Sequence, residues 1–231
     1  MENKEENKGK VLKPIIEYKN KMPENIFSIV EQMGFSNFNP PQYKSIDENL
    51  FEGNFLICSP TGSGKTLVAE LKFLDMILNK NKKVVYIVPL KALAQEKYKS
   101  FKKKYPQIKT SISIGDVDSK EDYLLNFDLI ITTSEKMDSL IRHKSLFIFE
   151  LGLIVIDEIH LINDYTRGPV LEVVITFLRT FLKEINIIGL SATIGNPKEL
   201  ADWLKSRLII DDYRPVELKK GVLIDGEIKF Y

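Results

Sequence analysis

Short apolar runs alternate with helical patterns along most of this chain. From Pro23, the positions Ile26, Phe27, Val30 and Met33 recur at helical spacing, and Gly34 behind them predicts a C-cap. The prolines of GFSNFNPPQ then force an extended entry, and a second helix is predicted from about Gln42 to Leu50. The run FLIC at 55–58 reads as a buried strand. A glycine-rich turn breaks it, and a helix opens at Lys65-Thr66, with Leu67, Leu71, Leu74, Ile77 and Leu78 marking its buried face. Further strands are predicted at 83–88, 109–114, 129–132, 153–157 and 185–190, with helical patterns between most of them. This alternation predicts an α/β fold whose mostly parallel sheet carries helices on both faces. Such sheets bind ligands at the carboxyl ends of their strands, so the loops after these runs are where chemistry is expected.

The helix after 83–88, PLKALAQEK onward, is predicted to bury Leu90, Leu93, Ala94, Tyr98 and Phe101. Lys97, Lys99, Lys102, Lys103 and Lys104 then read as a solvated face, which leaves Lys91 at the strand end as the better ligand contact. After 129–132, Ser134 is placed to cap the helix SEKMDSLIR, and the Thr133 and Ser134 hydroxyls suit a backbone phosphate, although capping alone explains Ser134. Pro169 opens a helix whose face Val170, Leu171, Val173, Val174, Phe177, Leu178 and Phe181 is core. The preceding Arg167-Gly168 can face a ligand, but a surface arginine is the commoner outcome. Residues 1–13 mix Lys, Glu and Asn with almost nothing to bury and read as a disordered tail. Residues 14–53 form N-terminal helices and residues 54–212 the sheet domain. From Leu208 the chain turns to short β-like runs, LII, PVEL, GVLI and EIKFY.

Composition narrows the class only a little. At 231 residues with a formal net charge of +1, the chain is long enough for a full core and too balanced for a uniformly positive field, so nucleic-acid binding would need a local patch. The lone cysteine, Cys58, allows no internal disulfide and sits mid-strand as a small core hydrophobe. With no apolar run near membrane-spanning length and no h-region at the start, a soluble, cytoplasmic protein with no membrane partner is expected.

The stretch Ser59-Pro60-Thr61-Gly62-Ser63-Gly64-Lys65-Thr66 carries the strongest chemistry. Glycines let backbone N–H groups turn toward an anion, the new helix points its positive end at it, Lys65 can reach β and γ phosphates, and Thr66 can ligate Mg²⁺. Ser59 departs from the glycine that opens the general phosphate-loop pattern. Alone, the motif indicates a nucleoside triphosphate with no reaction attached. Downstream, Asp157 and Glu158 follow an apolar strand, and a charge pair there is costly to bury without a cation. If that strand lies beside the cradle strand, Asp157 can hold Mg²⁺ through water and Glu158 can polarise the water attacking the γ-phosphate. Otherwise the pair is a solvated acidic turn. Ser191 and Thr193, in SATIGNP, either bridge the acidic pair to another surface or satisfy their own turn.

Together these residues resemble the superfamily-two DExH-box helicases, above all the superkiller-like branch that includes archaeal DNA repair helicases. SPTGSGKT, PLKALA, TSEKMDSLIR, DEIH and SATIGNP are similar to that family's motifs I, Ia, Ib, II and III, and RGPVLE and the closing RPVEL to this branch. FNPPQ with Phe35 resembles its adenine-reading element, and a small residue at Ser59 is common in the superfamily. The resemblance implies a RecA-like phosphate-loop domain using ATP and Mg²⁺. Phe35 would stack on adenine and Gln42 would bond its edge. Lys65 and Thr66 would bind phosphate and metal, Asp157 would position the metal, and Glu158 would act as general base. Ser191 and Thr193 would couple hydrolysis to strand movement, while Lys91, Thr133 and Ser134 would touch a single-stranded or forked nucleic acid, DNA rather than RNA. Family members also carry a second RecA-like domain with arginines that complete the ATP site. This chain is therefore expected to be the first domain, with residues 213–231 starting a linker, and to need the second domain in cis or in trans. Alone it should hydrolyse ATP feebly, since arginine fingers supply on the order of 10³–10⁵ in rate. A nucleotide-gated binding or scaffold subunit is the non-enzyme alternative.

Overall fold

The computed structural model describes residues 12–115, 121–216, 221–224 and 227–230. The expected tail thus lies outside the described residues as far as residue 11, and Lys13 proves to be in a strand. That strand, β1 (Lys13–Pro14), pairs antiparallel with β2 (Asn37–Phe38), and helix α1 (Glu24–Gln32) lies between them. Helix α2 (Pro40–Asp47) starts two residues before the predicted point, because Pro40 and Pro41 occupy the first turn, where a missing N–H costs nothing. There follow β3 (Phe55–Cys58), α3 (Lys65–Leu78), β4 (Lys83–Val88), α4 (Lys91–Lys104), β5 (Thr110–Ser113), β6 (Leu129–Thr133) and α5 (Ser134–Arg142). The series continues with β7 (Leu151–Ile156), α6 (Gly168–Phe181), β8 (Asn186–Ser191), α7 (Pro197–Leu204) and β9 (Arg207–Ile210). The closing runs form a hairpin, β10 (Gly221–Ile224) with β11 (Glu227–Phe230); PVEL lies partly outside the described residues.

Among the described residues, β3 to β9 form one seven-stranded sheet in the order β5-β6-β4-β7-β8-β3-β9, and every neighbouring pair is parallel. The strands read as unbroken apolar runs because both faces are covered. Phe55, Ile57, Val84, Tyr86 and Val88 point to one face, against α1, α2, α3 and α4. Leu56, Cys58, Val85, Ile87 and Ile156 point to the other, against α5, α6 and α7. Strand β7 does not lie directly beside β3, since β8 is inserted between them. Each strand's own sequence satisfies burial on two faces equally well in either position, so the order is decided by crossover packing.

Helix α3 is buried almost all round, not on one stripe, because α1 and α2 cover its outer side. Of its predicted buried face, Leu78 is exposed. An aromatic chain then fixes α4: Phe101 meets Tyr86 of β4 and Phe73 of α3 edge-on, each at 5.3 Å, and Tyr105 meets Phe73 at 5.6 Å. Such pairs contribute roughly 0.5–1.5 kcal/mol each beyond area burial. They set the rotation of α4 and hence the direction of the lysines between them.

Candidate nucleotide-binding site

The cradle lies where β3 ends. Gly62 and Gly64 have φ of +82° and +95°, which turns the loop back toward the first turn of α3. Ser59 Oγ and Ser63 Oγ share a 2.7 Å hydrogen bond, and the Ser59 N–H donates to the Ser191 carbonyl at 3.1 Å. Lys65 Nζ donates to the Ser59 and Pro60 carbonyls at 2.5 and 2.9 Å. Burial pushes the Lys65 pKa below its ordinary value, and the Glu158 and Asp157 carboxylates oppose that shift. Those two carboxylates are therefore within electrostatic reach of the cradle lysine despite the intervening strand. Cys58, beneath the loop, is a core thiol that burial pushes up to about 11.

Asp157 follows β7 directly, and its N–H continues the ladder to the Ile87 carbonyl at 2.8 Å. Its Oδ2 accepts from Tyr86 OH at 3.1 Å and pairs with Lys97 Nζ at 3.1 Å. The same ammonium lies 3.4 Å from Thr66 Oγ1. Thr66 and Asp157 thus converge on one cation, the arrangement a divalent ion shared with a phosphate requires. Among the described residues no group of three or more His, Cys, Asp or Glu gathers around a metal position, so such an ion would depend on nucleotide oxygens. Glu158 has φ of +53°, a left-handed conformation that costs a non-glycine residue roughly 1–2 kcal/mol. Its Oε2 lies 3.3 Å from His160 Nδ1. A strained carboxylate held at a strand end is a recurring mark of functional sites.

Upstream residues close the loop from the other side. Gln42 Oε1 accepts from the Asn39 N–H at 2.8 Å, and Gln42 Nε2 donates to the Gly64 carbonyl at 3.1 Å. Asn39 Nδ2 donates to the Ser63 carbonyl at 3.2 Å. Gln42 is buried, yet one N–H and one Oε1 lone pair remain for another partner. Phe35 is partly exposed, with Lys104 Nζ 5.9 Å from its ring centre. Lys104 also pairs with Glu70, which accepts from Tyr105 OH at 2.5 Å. The solvated-face reading is therefore wrong for Lys97 and Lys104. They are two helical turns apart and both turn inward, because carboxylates on neighbouring elements, Asp157 and the buried Glu70, attract them.

A second cavity, of about 600 Å³, opens beside α4 and α5 and is lined by Lys91, Thr133, Glu135, Lys136, Arg142 and Arg167 among others. Lys136 is committed to Glu121 at 2.6 Å, and Arg142 pairs with Asp138 at 3.0 Å. Burial pushes the Glu121 carboxyl up, but hydrogen bonds from Lys136 and Ser113 outweigh it and hold it below its usual range. Thr133, not Ser134, is the cap of α5: its side chain accepts from the Lys136 N–H at 3.4 Å. Ser134 is buried and lines a small pocket with Asp157, Glu158 and Arg167 instead. Arg167 borders both spaces, which makes it more than a surface residue. Ser191 is fully buried with its hydroxyl beside the Cys58 thiol, while Thr193 is exposed in the following turn.

The DEAD/DEAH box helicase family model matches residues 39–200, from the Asn39 cap through the cradle and the acidic pair to α7. The chain belongs to this family. Among curated proteins it is similar to the ATP-dependent DNA helicase Hel308 of Methanococcus vannielii, 50% identical over 215 residues, which cover 89% of this chain and 28% of the relative. It is also similar to the Hel308 of Methanocaldococcus jannaschii, 51% identical over 216 residues, 90% of this chain and 18% of the relative. Among solved structures, the DUF1998 helicase MrfA bound to DNA and AMPPNP superposes with a TM-score of 0.72 at 26% identity, covering 87% of this chain and 30% of MrfA. The chain thus spans less than a third of the length of these relatives. Its sheet is the RecA-like fold of DEAD/DEAH box helicases. Within this helicase domain, the residues that sequence reasoning missed are Lys97, Lys104 and Asn39. For the lysines the available signal was their seven-residue spacing, which places them on one helical face with Phe101 between.

Proposed function

We propose that this chain is the ATP-binding first motor domain of an ATP-dependent DExH-box helicase, hydrolysing ATP together with a second RecA-like domain while holding one strand of DNA. The observation that carries this reading is the convergence of Thr66 and Asp157, from opposite sides of β8, on one cationic position beside Lys65. Lys65 leaves the Ser59 and Pro60 carbonyls for the β and γ phosphates, while the loop N–H groups and the N-terminus of α3 receive the remaining charge. Thr66, and Asp157 through water, would hold Mg²⁺, which when bound would neutralise charge developing on the phosphate oxygens. Glu158 accepts a proton from the attacking water as the water oxygen bonds to the γ-phosphorus and the bond to the bridging oxygen breaks, leaving ADP. Gln42 offers its remaining N–H and lone pair to the adenine edge, and Phe35 its ring face.

Lys91, Thr133 and Arg167 line the track for a sugar–phosphate backbone. DNA is favoured because the similar Hel308 proteins are DNA helicases and MrfA is bound to DNA. Ser191 and Thr193 relay between nucleotide and track, Ser191 through its carbonyl on the cradle. Among the described residues no helix is long and apolar enough to cross a membrane. The test is ATPase activity of this chain joined to the remaining length of a Hel308 relative, with and without single-stranded DNA. DNA-stimulated turnover that Glu158→Gln lowers at least ~100-fold without loss of ATP binding is expected. Turnover indifferent to DNA would favour a nucleotide-gated scaffold, and a Glu158→Gln variant as fast as wild type would remove the assigned base.

A further inference from the structure

The geometry points to Lys97 as a cation that competes with Mg²⁺ for Thr66 and Asp157, so that Mg²⁺ must displace it as metal and nucleotide bind together. The inference rests on the proposed nucleotide reading of the site. Three contacts define it: 3.1 Å from Nζ to Asp157 Oδ2, 3.4 Å to Thr66 Oγ1, and 5.5 Å to the centre of the Tyr86 ring. The lysine side chain is 18% exposed and that of Asp157 14%, so the pair is shielded but reachable.

A Mg²⁺ ion held by Asp157, directly or through water, would have to share the neighbourhood of the Lys97 ammonium, which lies 3.1 Å from the same carboxylate oxygen. Two cations of total charge +3 do not share that space, and the lysine is the one with a flexible stem to carry it away. Tyr86 OH stays on Asp157 Oδ2 at 3.1 Å and keeps the carboxylate aimed when the lysine leaves. Lys97 therefore works as a positioning residue that suppresses metal binding until nucleotide oxygens add to the attraction. It sets the Mg²⁺ concentration at which the site closes.

The test uses the full chain and the fluorescent nucleotide mant-ADP, titrated with Mg²⁺ and, separately, bound in EDTA. Lys97→Met is expected to lower the Mg²⁺ midpoint about tenfold, equivalent to ~1.4 kcal/mol, with little change in affinity in EDTA. Lys97→Gln should do the same, and Lys97→Arg, which keeps the charge, should stay close to wild type. A permanent structural role predicts the opposite: removing Lys97 would loosen Asp157 and raise the midpoint. An unchanged or raised midpoint in folded Lys97→Met or Lys97→Gln protein overturns the proposal. Asp157→Asn separates the two levels of inference. If that variant keeps the Mg²⁺ response, the metal reading of the site fails and the proposal with it. If it abolishes the response while the Lys97 variants titrate as wild type, only the role of Lys97 fails.

Discussion

Lys72 is a lysine inside the core, and its cost depends on pH. It sits midway along α3, fully buried, with Nζ donating to the Gly53 carbonyl and lying 5.4 Å from the centre of the Phe55 ring. Burial lowers its pKa from 10.5 to about 7; Lys80 and Arg207 add to the shift, and Glu52 and Asp75 oppose it. In the unfolded chain the lysine keeps its ordinary value, so between pH ~7 and ~10.5 the unfolded state binds a proton that the folded state lacks. Stability therefore rises with pH through this window, with a slope of at most ~1.4 kcal/mol per pH unit, and the full charge-burial penalty is felt below pH ~7. Integrated from pH 7.5 to 9.5, the gain is on the order of 2–3 kcal/mol. Lys72→Met keeps the chain length and removes the titration, so the wild type minus variant difference isolates it. Urea unfolding followed by the fluorescence of Trp203, the only tryptophan in the sequence, measures both proteins. Wild type should gain on the order of 2–3 kcal/mol on the variant across that interval. Parallel stability curves would refute the reasoning.

Two further predictions concern the site. Gly64→Ala places a Cβ 2.2 Å from Gln42 Nε2 at a φ of +95°, so the left-handed penalty and the lost hydrogen bond should together cost ~2–3 kcal/mol in urea unfolding; a loss below ~0.5 kcal/mol would contradict the seat of Gln42 on the loop. Arg167→Ala should weaken single-stranded DNA binding and lower the slope of log affinity against log salt by about 1. An unchanged slope would take Arg167 off the track.

Local chemistry was legible in the chain, and long-range order was not. The unbroken apolar runs announced doubly covered parallel strands, and the glycines before Lys65 announced a tight strand-to-helix turn suited to a phosphate. Asp157 and Glu158 were visible as charges at a strand end that folding alone does not explain. No local pattern says that β8 separates β3 from β7, because a strand apolar on both faces fits any interior position. The lysines of α4 misled for a related reason: a charge run favours water unless a buried carboxylate lies opposite, and Asp157 and Glu70 come from other elements. Ser134 and Thr133 differ by one residue, and both suit an N-cap. Only the extended backbone of Thr133, φ −99° and ψ 164°, decides between them.

Every role proposed above depends on residues 59–66, Asp157 and Glu158 forming a nucleotide site. The most direct test of that site is equilibrium binding of mant-ATP with Mg²⁺ to the wild-type chain and to Lys65→Ala, with folding checked by circular dichroism. Lys65 faces the loop carbonyls with its charge depressed by burial, and phosphate is the partner that restores it. Saturable binding by wild type is expected, with a loss of at least ~100-fold in folded Lys65→Ala, as befits a buried charge-assisted contact. Wild-type affinity in the folded variant would contradict it.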